Sequence, residues 1–327
     1  MSIIVSEHTY QTLVSSLGLG RIVSLEAIQP LWSNCGYLVR VYCQSKSLII
    51  KHIELPKQIK NAKGWSSRTA YQRKLRSYHV EMCWYTSFAK NNIARVPQTL
   101  MAIDNSPSLM LVMEDLHASG FTQTIESAQK VHVQSCLKWL ASFHAQHIQN
   151  TYEGLWENGT YWHLATRRDE LKALNDPALK KMAGTIDSIL TRAPFPTLVH
   201  GDAKLANFCF TADGKLAAAV DFQYVGRGCA MKDLVLFMSS AVAPNQCVIM
   251  EPWILNQYFS YLKKSLEQFQ PHLSPAEVEA AWRPLFPIAW ADFQRFIKGW
   301  CPSHWKINDY TESLTKTALK YIEDNCL

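Results

Sequence analysis

A short polar segment is the feature of this sequence that most restricts its fold. Residues 200–207 read HGDAKLAN, and a second carboxylate, Asp221 of Asp221-Phe222-Gln223, follows fourteen residues after Asn207. Transfer of a phosphoryl group from a Mg-nucleotide to a hydroxyl requires a base, a cation that faces the phosphate charge and oxygen ligands for the metal. The segment and Asp221 supply all of these residue types, so we expect a fold that brings them into one cleft.

Each polar residue in this pattern has an expected role. Asp202 is the expected catalytic base, which orients the attacking hydroxyl and accepts its proton, and Lys204 would reach the transferring phosphoryl oxygens. Asn207 and Asp221 offer the oxygen ligands that suit Mg²⁺. His200 completes the catalytic set as the residue that fixes the loop by hydrogen bonding. Taken alone, each of these could be a chance loop residue or a turn cap, but the coincidence of identity and order favours catalysis.

The predicted elements divide the chain into two lobes. Up to residue 115 the pattern predicts one helix, residues 77–90, and a small antiparallel sheet. The predicted strands are residues 21–28, 37–43, 47–53, 96–103 and 109–113. Beyond residue 115 the pattern is mainly helical, with a hairpin turn at Asp213-Gly214 between two short apolar runs. We therefore predict an α+β fold, with a β-rich nucleotide-binding lobe at 1–115 and a helical lobe at 116–327 that holds the catalytic loop, the metal site and the acceptor pocket.

A lysine lies inside one of the predicted strands. Lys51 is flanked by apolar residues in the run LIIKHI, residues 48–53. A buried cation without a partner is costly, and Glu81 on the following helix is the natural partner. The pair would place the ammonium at the α- and β-phosphates of a nucleotide. The alternative is a strand lysine that faces outward.

The remaining candidates for nucleotide binding are loop and strand-end residues. No GxGxxG motif is present, and the candidate phosphate loop is Ser33, Asn34 and Gly36, between two predicted strands. Gly36 would permit close backbone approach, and the two polar side chains could donate to phosphate. Met113 and Glu114 end the last strand of the small lobe, where their backbone groups could bind adenine.

Composition and charge point to an ordinary globular enzyme. The chain has 327 residues, of which 48% are hydrophobic, enough to build a sizeable core. No signal peptide, membrane-length apolar run or nucleic-acid motif is recognisable, so we expect a cytoplasmic protein with no nucleic acid and no membrane as partner. The nine cysteines include no CxxC pair and fit free thiols in a reducing compartment. The basic run 57–76 is either a solvated linker or a positive rim that attracts an anion.

These motifs resemble those of the aminoglycoside phosphotransferase/choline kinase superfamily, whose members are relatives of protein kinases. The resemblance is closest to its choline-kinase-like, ecdysteroid-kinase-like branch. It rests on residues 198–202 (LVHGD), Asn207, residues 220–223 (VDFQ) and residues 114–116 (EDL). Asp233 also matches an aspartate that supports the catalytic loop in that branch. The resemblance implies a two-lobed protein-kinase-like fold, with a small antiparallel β-sheet lobe and a larger, mainly helical lobe.

The resemblance also implies cofactors and residue roles. ATP and Mg²⁺ would be the cofactors, and Asp202 would be the base. Asn207 and Asp221 would hold the metal, and Lys51 with Glu81 would anchor the phosphates.

In that superfamily the C-terminal helices hold the acceptor, and here they are rich in aromatic residues. The set comprises Trp282, Trp290, Trp300, Trp305, Phe286, Phe293, Phe296 and Tyr310. Such rings can bind a quaternary ammonium by cation–π attraction, line an apolar pocket for a lipophilic alcohol, or simply pack as core. Asp292, Asp309 and Glu312 could help to bind a cation.

The predicted function is ATP- and Mg²⁺-dependent transfer of the γ-phosphoryl group to a hydroxyl of a small molecule, either a choline-like amino alcohol or a lipophilic alcohol. Two alternatives stay open at this stage, a catalytically silent nucleotide-binding module and an aminoglycoside or amino-sugar kinase. A protein kinase is disfavoured because the sequence has neither a GxGxxG loop nor an APE-like segment after Asp221. A small hydroxylated substrate is the expected partner, and the sequence leaves the oligomeric state open.

Overall fold

The computed structural model describes residues 7–31, 35–54 and 68–326. Its first part is a five-stranded antiparallel sheet with the spatial order β1-β2-β3-β5-β4. The strands are β1 Ile22–Pro30, β2 Gly36–Cys43, β3 Ser47–Glu54, β4 Thr99–Asn105 and β5 Ser108–Glu114. The predicted sheet is confirmed, and because β3 pairs with β2 and β5, it is an interior strand that buries Lys51.

A short helix near the start of the chain covers part of this sheet. α1 spans Glu7–Ser16 and buries Tyr10, Leu13 and Val14 against residues of β2, β3 and β5. This helix was not among the predicted elements.

The next helix, α2, spans Arg68–Cys83 and continues as a π-helical turn, Trp84–Phe88. It therefore begins well before the predicted start at residue 77. Arg73 and Lys74 are both buried. Residues 68–76 thus form part of a packed helix, and the interpretation of this part of the basic run as a solvated linker is wrong.

The second part of the chain is mainly helical. Its helices are α3 Lys130–His147, α4 Arg168–Ala173, α5 Pro177–Thr191, α6 Met231–Ala241, α7 Cys247–Phe269, α8 Pro275–Trp282, α9 Phe286–Trp300 and α10 Asp309–Cys326. Pro177 starts α5 at a position where its missing N–H costs nothing, and the carboxylate of Asp176 accepts from the N–H of Leu179. The helix therefore begins at Pro177.

Four short strands hold the polar segment between the helices. β6 Thr197–Val199 pairs with β9 Gly226–Gly228, and β7 Phe208–Phe210 pairs with β8 Ala217–Ala219. Residues 200–207 leave β6 and enter β7, so both ends of the segment are anchored in a β-ladder. The hairpin predicted around Asp213-Gly214 is the β7–β8 connection.

One hydrophobic core links the two parts. It includes Leu111 and Met113 of β5, Val80 of α2, and buried residues of all the large C-terminal helices. The architecture is the predicted α+β arrangement of a small antiparallel sheet and a larger helical region. The lobe boundary at residue 115 stays a prediction.

Among the helices in the described ranges, none is by itself both long and apolar enough to cross a membrane. Met231–Ala241 and Pro244–Phe269 reach that length and composition only together, and they are bent by 117° relative to one another.

Candidate active site

The backbone of the polar segment is held by a buried aspartate. Asp233, near the start of α6, accepts hydrogen bonds from the backbone nitrogens of His200 at 2.6 Å and Gly201 at 2.9 Å. The ring of His144 contacts the same carboxylate at 3.1 Å. All of Asp233 is buried, so these bonds are not shared with water. Asp233 supports the catalytic loop, as the resemblance implied.

His200 connects this loop to the strand that precedes Asp221. Its Nδ1 accepts from the backbone N–H of Asp202 at 3.2 Å, so Nε2 carries the proton that is donated to the carbonyl oxygen of Val220, 3.0 Å away. Both ring nitrogens are used inside the protein. The side chain therefore positions the loop and is not available to carry a proton between substrates.

Asp202 is buried and held by two donors from its own loop. Its Oδ2 accepts from Nζ of Lys204 at 3.0 Å and from Nδ2 of Asn207 at 3.1 Å. Asn207 also donates to the Asp202 carbonyl oxygen at 2.8 Å. Burial raises the pKa of Asp202, the ammonium of Lys204 offsets part of that rise, and the nearby charge of Asp221 adds to it. The carboxyl group is therefore more basic than an ordinary aspartate.

Asp221 lies close to Lys51, the buried cation of β3. Its backbone has a φ of 69°, in the left-handed region that few non-glycine residues adopt. In this conformation Oδ1 lies 3.0 Å from Nζ of Lys51. Burial opposes ionisation of Asp221, but the positive charges of Lys51 and Lys204 outweigh it and lower the pKa of the carboxyl to about 2. Asp221 is therefore a permanent anion at neutral pH.

Lys51 and Glu81 form the predicted pair. Nζ of Lys51 lies 2.8 Å and 2.6 Å from the two carboxylate oxygens of Glu81, and both side chains are buried. Burial disfavours the charged lysine, but Asp221 and Glu81 outweigh it and raise the pKa of Lys51. The lysine does not face outward, so that alternative is wrong. Its contact with nucleotide phosphates stays a prediction.

The donor set fits Mg²⁺ with a bound phosphate. Within the described ranges no hydrogen-bond donor reaches Oδ1 of Asn207 or Oδ2 of Asp221, and each residue is held in place through its other side-chain atom. The same ranges contain no cluster of three or more His, Cys, Asp or Glu side chains that could enclose a metal. Mg²⁺ commonly takes one or two protein oxygens and completes its octahedron with waters and phosphate oxygens. Asn207 and Asp221 are suited to that mode.

Lys74 is a second buried cation that the sequence analysis did not assign to the site. It lies seven residues before Glu81 on α2, which places both residues on one helix face. Its Nζ donates to Oε1 of Gln223 at 3.1 Å and lies 4.2 Å from the ring centre of Tyr78. Burial, together with the charge of Lys51, lowers its pKa to about 8. The seven-residue spacing from Glu81 was a signal within the basic run that could have identified it.

The candidate phosphate loop is only partly described. Ser33 and Asn34 lie outside the described residues. Gly36 begins β2 with a φ of 125°, and a Cβ atom there would lie 2.0 Å from the carbonyl oxygen of His52. Packing against β3 is enough to require glycine at this position, so the predicted role of Gly36 in nucleotide binding stays a prediction.

Met113 and Glu114 end β5 beside the start of the helical part. Met113 pairs with Ile49 in the sheet, and the Glu114 carboxylate accepts from Arg95 and Ser119. The Glu114 side chain is thus bound within the protein, which leaves only backbone groups to bind adenine. That contact also stays a prediction.

Most of the aromatic residues expected near the acceptor are core. Trp282, Trp290, Phe286 and Phe293 are fully or almost fully buried. Asp292 is also fully buried, and it accepts from Arg295 at 3.0 Å and 2.8 Å and from Trp162 at 3.0 Å. The expectation that Asp292 helps to bind a cationic ligand is therefore wrong. Its position three residues before Arg295 could have indicated this pairing.

The sequence of the chain matches a known family over most of this site. Residues 37–254 match the model of the phosphotransferase enzyme family, APH. The chain belongs to this family. The match includes Lys51, Glu81, the catalytic loop and Asp221, and it confirms the predicted superfamily and the predicted class of enzyme, a small-molecule kinase. No curated protein matches this phosphotransferase.

Solved structures of similar fold are distant in sequence. A microcompartment-associated aminopropanol kinase has a TM-score of 0.55 and 14% identity, with 97% of this chain and 95% of that chain covered. The amicoumacin kinase hAmiN, in complex with AMP-PNP, Ca²⁺ and Ami, has a TM-score of 0.50 and 13% identity, with 98% and 95% covered. The GDP and kanamycin complex of APH(2")-IIia has a TM-score of 0.50 and 11% identity, with 98% and 99% covered. At such identities these likenesses show the fold, and they confirm the predicted kinase-like architecture.

Proposed function

We propose that this phosphotransferase uses ATP and Mg²⁺ to phosphorylate a hydroxyl group of a small molecule. The observation that carries the proposal is the convergence of five residues from separate parts of the chain. Lys51 and Glu81 come from the sheet and α2, Asp202 and Asn207 come from the loop between β6 and β7, and Asp221 lies in contact with Lys51. Base, cations and oxygen ligands are the groups that this reaction requires.

The reaction forms a bond between the acceptor oxygen and the γ-phosphorus of ATP, and the bond from that phosphorus to the β–γ bridging oxygen breaks as ADP leaves. Asp202 accepts the proton of the acceptor hydroxyl. Its raised pKa favours this role, because a more basic carboxylate has a greater driving force for proton transfer. Lys204, which lies 3.0 Å from Asp202, faces the negative charge of the transferring group.

Asn207 and Asp221 would hold Mg²⁺ through their free oxygens, and Lys51 would contact the phosphates. When bound, the metal neutralises phosphate charge and fixes the geometry of the phosphates. Glu81 keeps the Lys51 ammonium charged and in place, since it contacts Nζ with both oxygens. A catalytically silent module is less well supported, because it would not require the base and both oxygen ligands together.

The likenesses in fold agree with a small acceptor. The similar structures include kinases of aminopropanol and amicoumacin and a phosphotransferase bound to kanamycin. We place the enzyme in the cytoplasm, where ATP is available. The cysteines of the described residues carry free thiols, which agrees with a reducing compartment.

The proposal is tested with purified protein, ATP and a panel of hydroxylated metabolites, with ADP release as the readout. We expect release that requires Mg²⁺ and stops when EDTA is added. Asp202→Asn should lower turnover by about 10²- to 10⁴-fold, the usual contribution of a general base. Its affinity for AMP-PNP, measured by calorimetry, should stay close to that of the wild type.

The matched control is Asp169→Asn, which makes the same change at an exposed residue of α4. Turnover of this variant should equal that of the wild type. Near-normal turnover by Asp202→Asn, or ADP release that persists in EDTA, would be evidence against the proposed mechanism.

A further inference from the structure

Lys306 is a cation near the catalytic loop that has no role in the reaction described above. It lies between α9 and α10, and its Nζ donates to Oγ of Ser239 on α6 at 2.9 Å. The adjacent Ser240 accepts through Oγ from the backbone nitrogen of Leu205 at 2.8 Å. Leu205 belongs to the same loop as Asp202. Two consecutive serines of α6 therefore connect Lys306 to the loop that carries the proposed base.

The ammonium of Lys306 keeps most of its hydrogen-bonding capacity. A lysine has three N–H donors, and in the described part of the chain only Ser239 accepts from this one. The other close neighbours are the rings of Phe293 and Trp305, whose centres each lie 5.5 Å from Nζ. Burial lowers the pKa of Lys306 to about 8, so the charged form still dominates at pH 7. A half-buried cation with free donors can bind an anionic group.

A row of aromatic rings extends from the catalytic loop towards Lys306. In spatial order, this aromatic row consists of Tyr161, Phe296, Trp300, His304 and Trp305. Neighbouring ring centres are 5.5, 6.0, 5.8 and 5.8 Å apart. The row begins beside the loop, because the backbone nitrogen of Tyr161 donates to the carbonyl oxygen of Gly201 at 3.1 Å. Trp300 stacks on Phe296 and Trp305 stacks on His304, so one face of each indole is covered, but the two residues are 43% and 57% exposed and their other faces can contact an apolar ligand.

Two of the three carboxylates that could bind a cationic acceptor in this region are engaged elsewhere. Asp292 is buried with Arg295, and Glu312 is paired with Lys298 at 2.7 Å. Asp309 is exposed at the first residue of α10. With Asp292 and Glu312 engaged, the charge beside the aromatic row disfavours a choline-like acceptor.

We infer that the acceptor is a hydroxy acid with an apolar body, whose carboxylate binds Lys306 while the apolar part lies on the aromatic row. This inference rests on the proposed function and names its substrate class. Lys204 is already paired with Asp202, so Lys306 supplies the positive charge that complements a carboxylate. The free face of the exposed tryptophans supplies the contact for the apolar part, and the hydroxyl would lie at Asp202.

The test uses three matched probes and the full chain with Mg²⁺ and AMP-PNP. The probes are tropic acid, its carboxamide, and the amino alcohol in which an aminomethyl group replaces the carboxylate. All three carry one phenyl ring and one primary hydroxyl. By calorimetry, tropic acid should bind about tenfold or more tightly than the carboxamide, the usual effect of a hydrogen bond to a charged group, and the amine should bind most weakly.

Substitutions at Lys306 decide whether this residue causes the preference. Lys306→Met should bring the acid and the carboxamide to about equal affinity, and Lys306→Glu should reverse the order in favour of the amine. Lys316→Glu makes the same charge change at an exposed site on α10 and should leave the order unchanged. If Lys306→Glu does not fold, the ranking in the wild type and in Lys306→Met still decides the question.

The inference would be overturned by no saturable binding of tropic acid, by equal or tighter binding of the amine by the wild type, or by an unchanged preference in Lys306→Met. A loss of AMP-PNP affinity in Lys306→Met that matches its loss of acid affinity would also overturn it, because Lys306 would then bind the nucleotide. ATP hydrolysis by the wild type without acceptor separates the two proposals. If the wild type hydrolyses ATP but does not prefer tropic acid, only the inference fails. If it shows neither ATP hydrolysis nor acceptor-dependent ADP release, the proposed function itself is contradicted.

Discussion

Replacing Lys51 by methionine should leave two carboxylates without their shared cation. Glu81 is 2% exposed and receives two hydrogen bonds from Nζ, at 2.8 Å and 2.6 Å, and Asp221 receives one at 3.0 Å. Methionine keeps an unbranched apolar stem, so the change removes charge with little loss of packing. Removing one partner of a buried ion pair costs about 3–5 kcal/mol, and we expect Lys51→Met to lose stability in that range at pH 7.

The stability that Lys51→Met loses should depend on pH, because Glu81 can take up a proton. Burial raises the pKa of this carboxyl above its usual 4.5, and Lys51 is the main charge that opposes the rise. Without Lys51 the pKa of Glu81 in the folded variant should rise further above its value in the unfolded chain. The folded state then binds more protons, so its stability falls as the pH rises above 4.5. Part of the lost stability should therefore return as the pH falls from 7 to 5, at no more than about 1.4 kcal/mol per pH unit.

The assay is urea unfolding followed by tryptophan fluorescence at pH 5, 6 and 7. The control is the double variant Lys51→Met with Glu81→Gln, in which the buried carboxylate is replaced by an amide that does not titrate. At pH 7 this double variant should recover most of the free energy of unfolding that Lys51→Met loses. The difference between its free energy of unfolding and that of the wild type should vary little with pH. Both variants should lose turnover. The reasoning would be refuted if Lys51→Met lost the same stability relative to the wild type at pH 5 and at pH 7. It would also be refuted if the double variant were no more stable than Lys51→Met.

Two further predictions concern the catalytic loop. Lys204→Met removes the ammonium that lies 3.0 Å from Asp202. This ammonium lowers the pKa of Asp202, so without it the acid limb of the pH–turnover profile should move to higher pH. A limb that does not move would show that Asp202 is not the titrating group. Asp233→Asn replaces two accepting oxygens by one, so the N–H of His200 or Gly201 loses its acceptor at a cost of about 1–3 kcal/mol in urea unfolding. Turnover of Asp233→Asn should fall while its affinity for AMP-PNP stays unchanged. An equal loss of stability in the control Asp169→Asn would contradict the role of Asp233 in supporting the loop.

Sequence reasoning succeeded where short-range structure determines position. Asn207 and Asp221 are fourteen residues apart, but the β7–β8 hairpin returns the chain so that the Val220 nitrogen donates to the Asn207 carbonyl oxygen at 3.0 Å. An Asp-Gly turn between two apolar runs is enough to predict this return. Lys51 and Glu81 were also predictable as a pair, because an interior strand cannot easily bury an unpaired cation.

Sequence reasoning failed where the partner of a charge lies far along the chain. Lys74 is buried because Gln223, 149 residues later, accepts from its ammonium. Its neighbours in the basic run gave no sign of that contact. α1 was missed for a related reason, since Tyr10 and Val14 are buried by the sheet and the local sequence EHTYQTLVSS has only weak helical preference. Lys306 depends in the same way on Ser239, which lies on a different helix.

The two aspartates of the cleft show how one site can hold two carboxylates in different states. Both are desolvated, and desolvation alone would raise both pKa values. Asp221 lies 3.0 Å from Lys51, and this charge drives its pKa down to about 2. Among the described residues, the half-exposed Lys204 is the cationic side chain that contacts Asp202, so burial prevails and the pKa of Asp202 is raised. Opposite shifts of neighbouring carboxyls are typical of a division between a fixed anion and a proton acceptor. The division follows in large part from the position of Lys51 in β3, so the Lys51→Met variant should raise the pKa of Asp221.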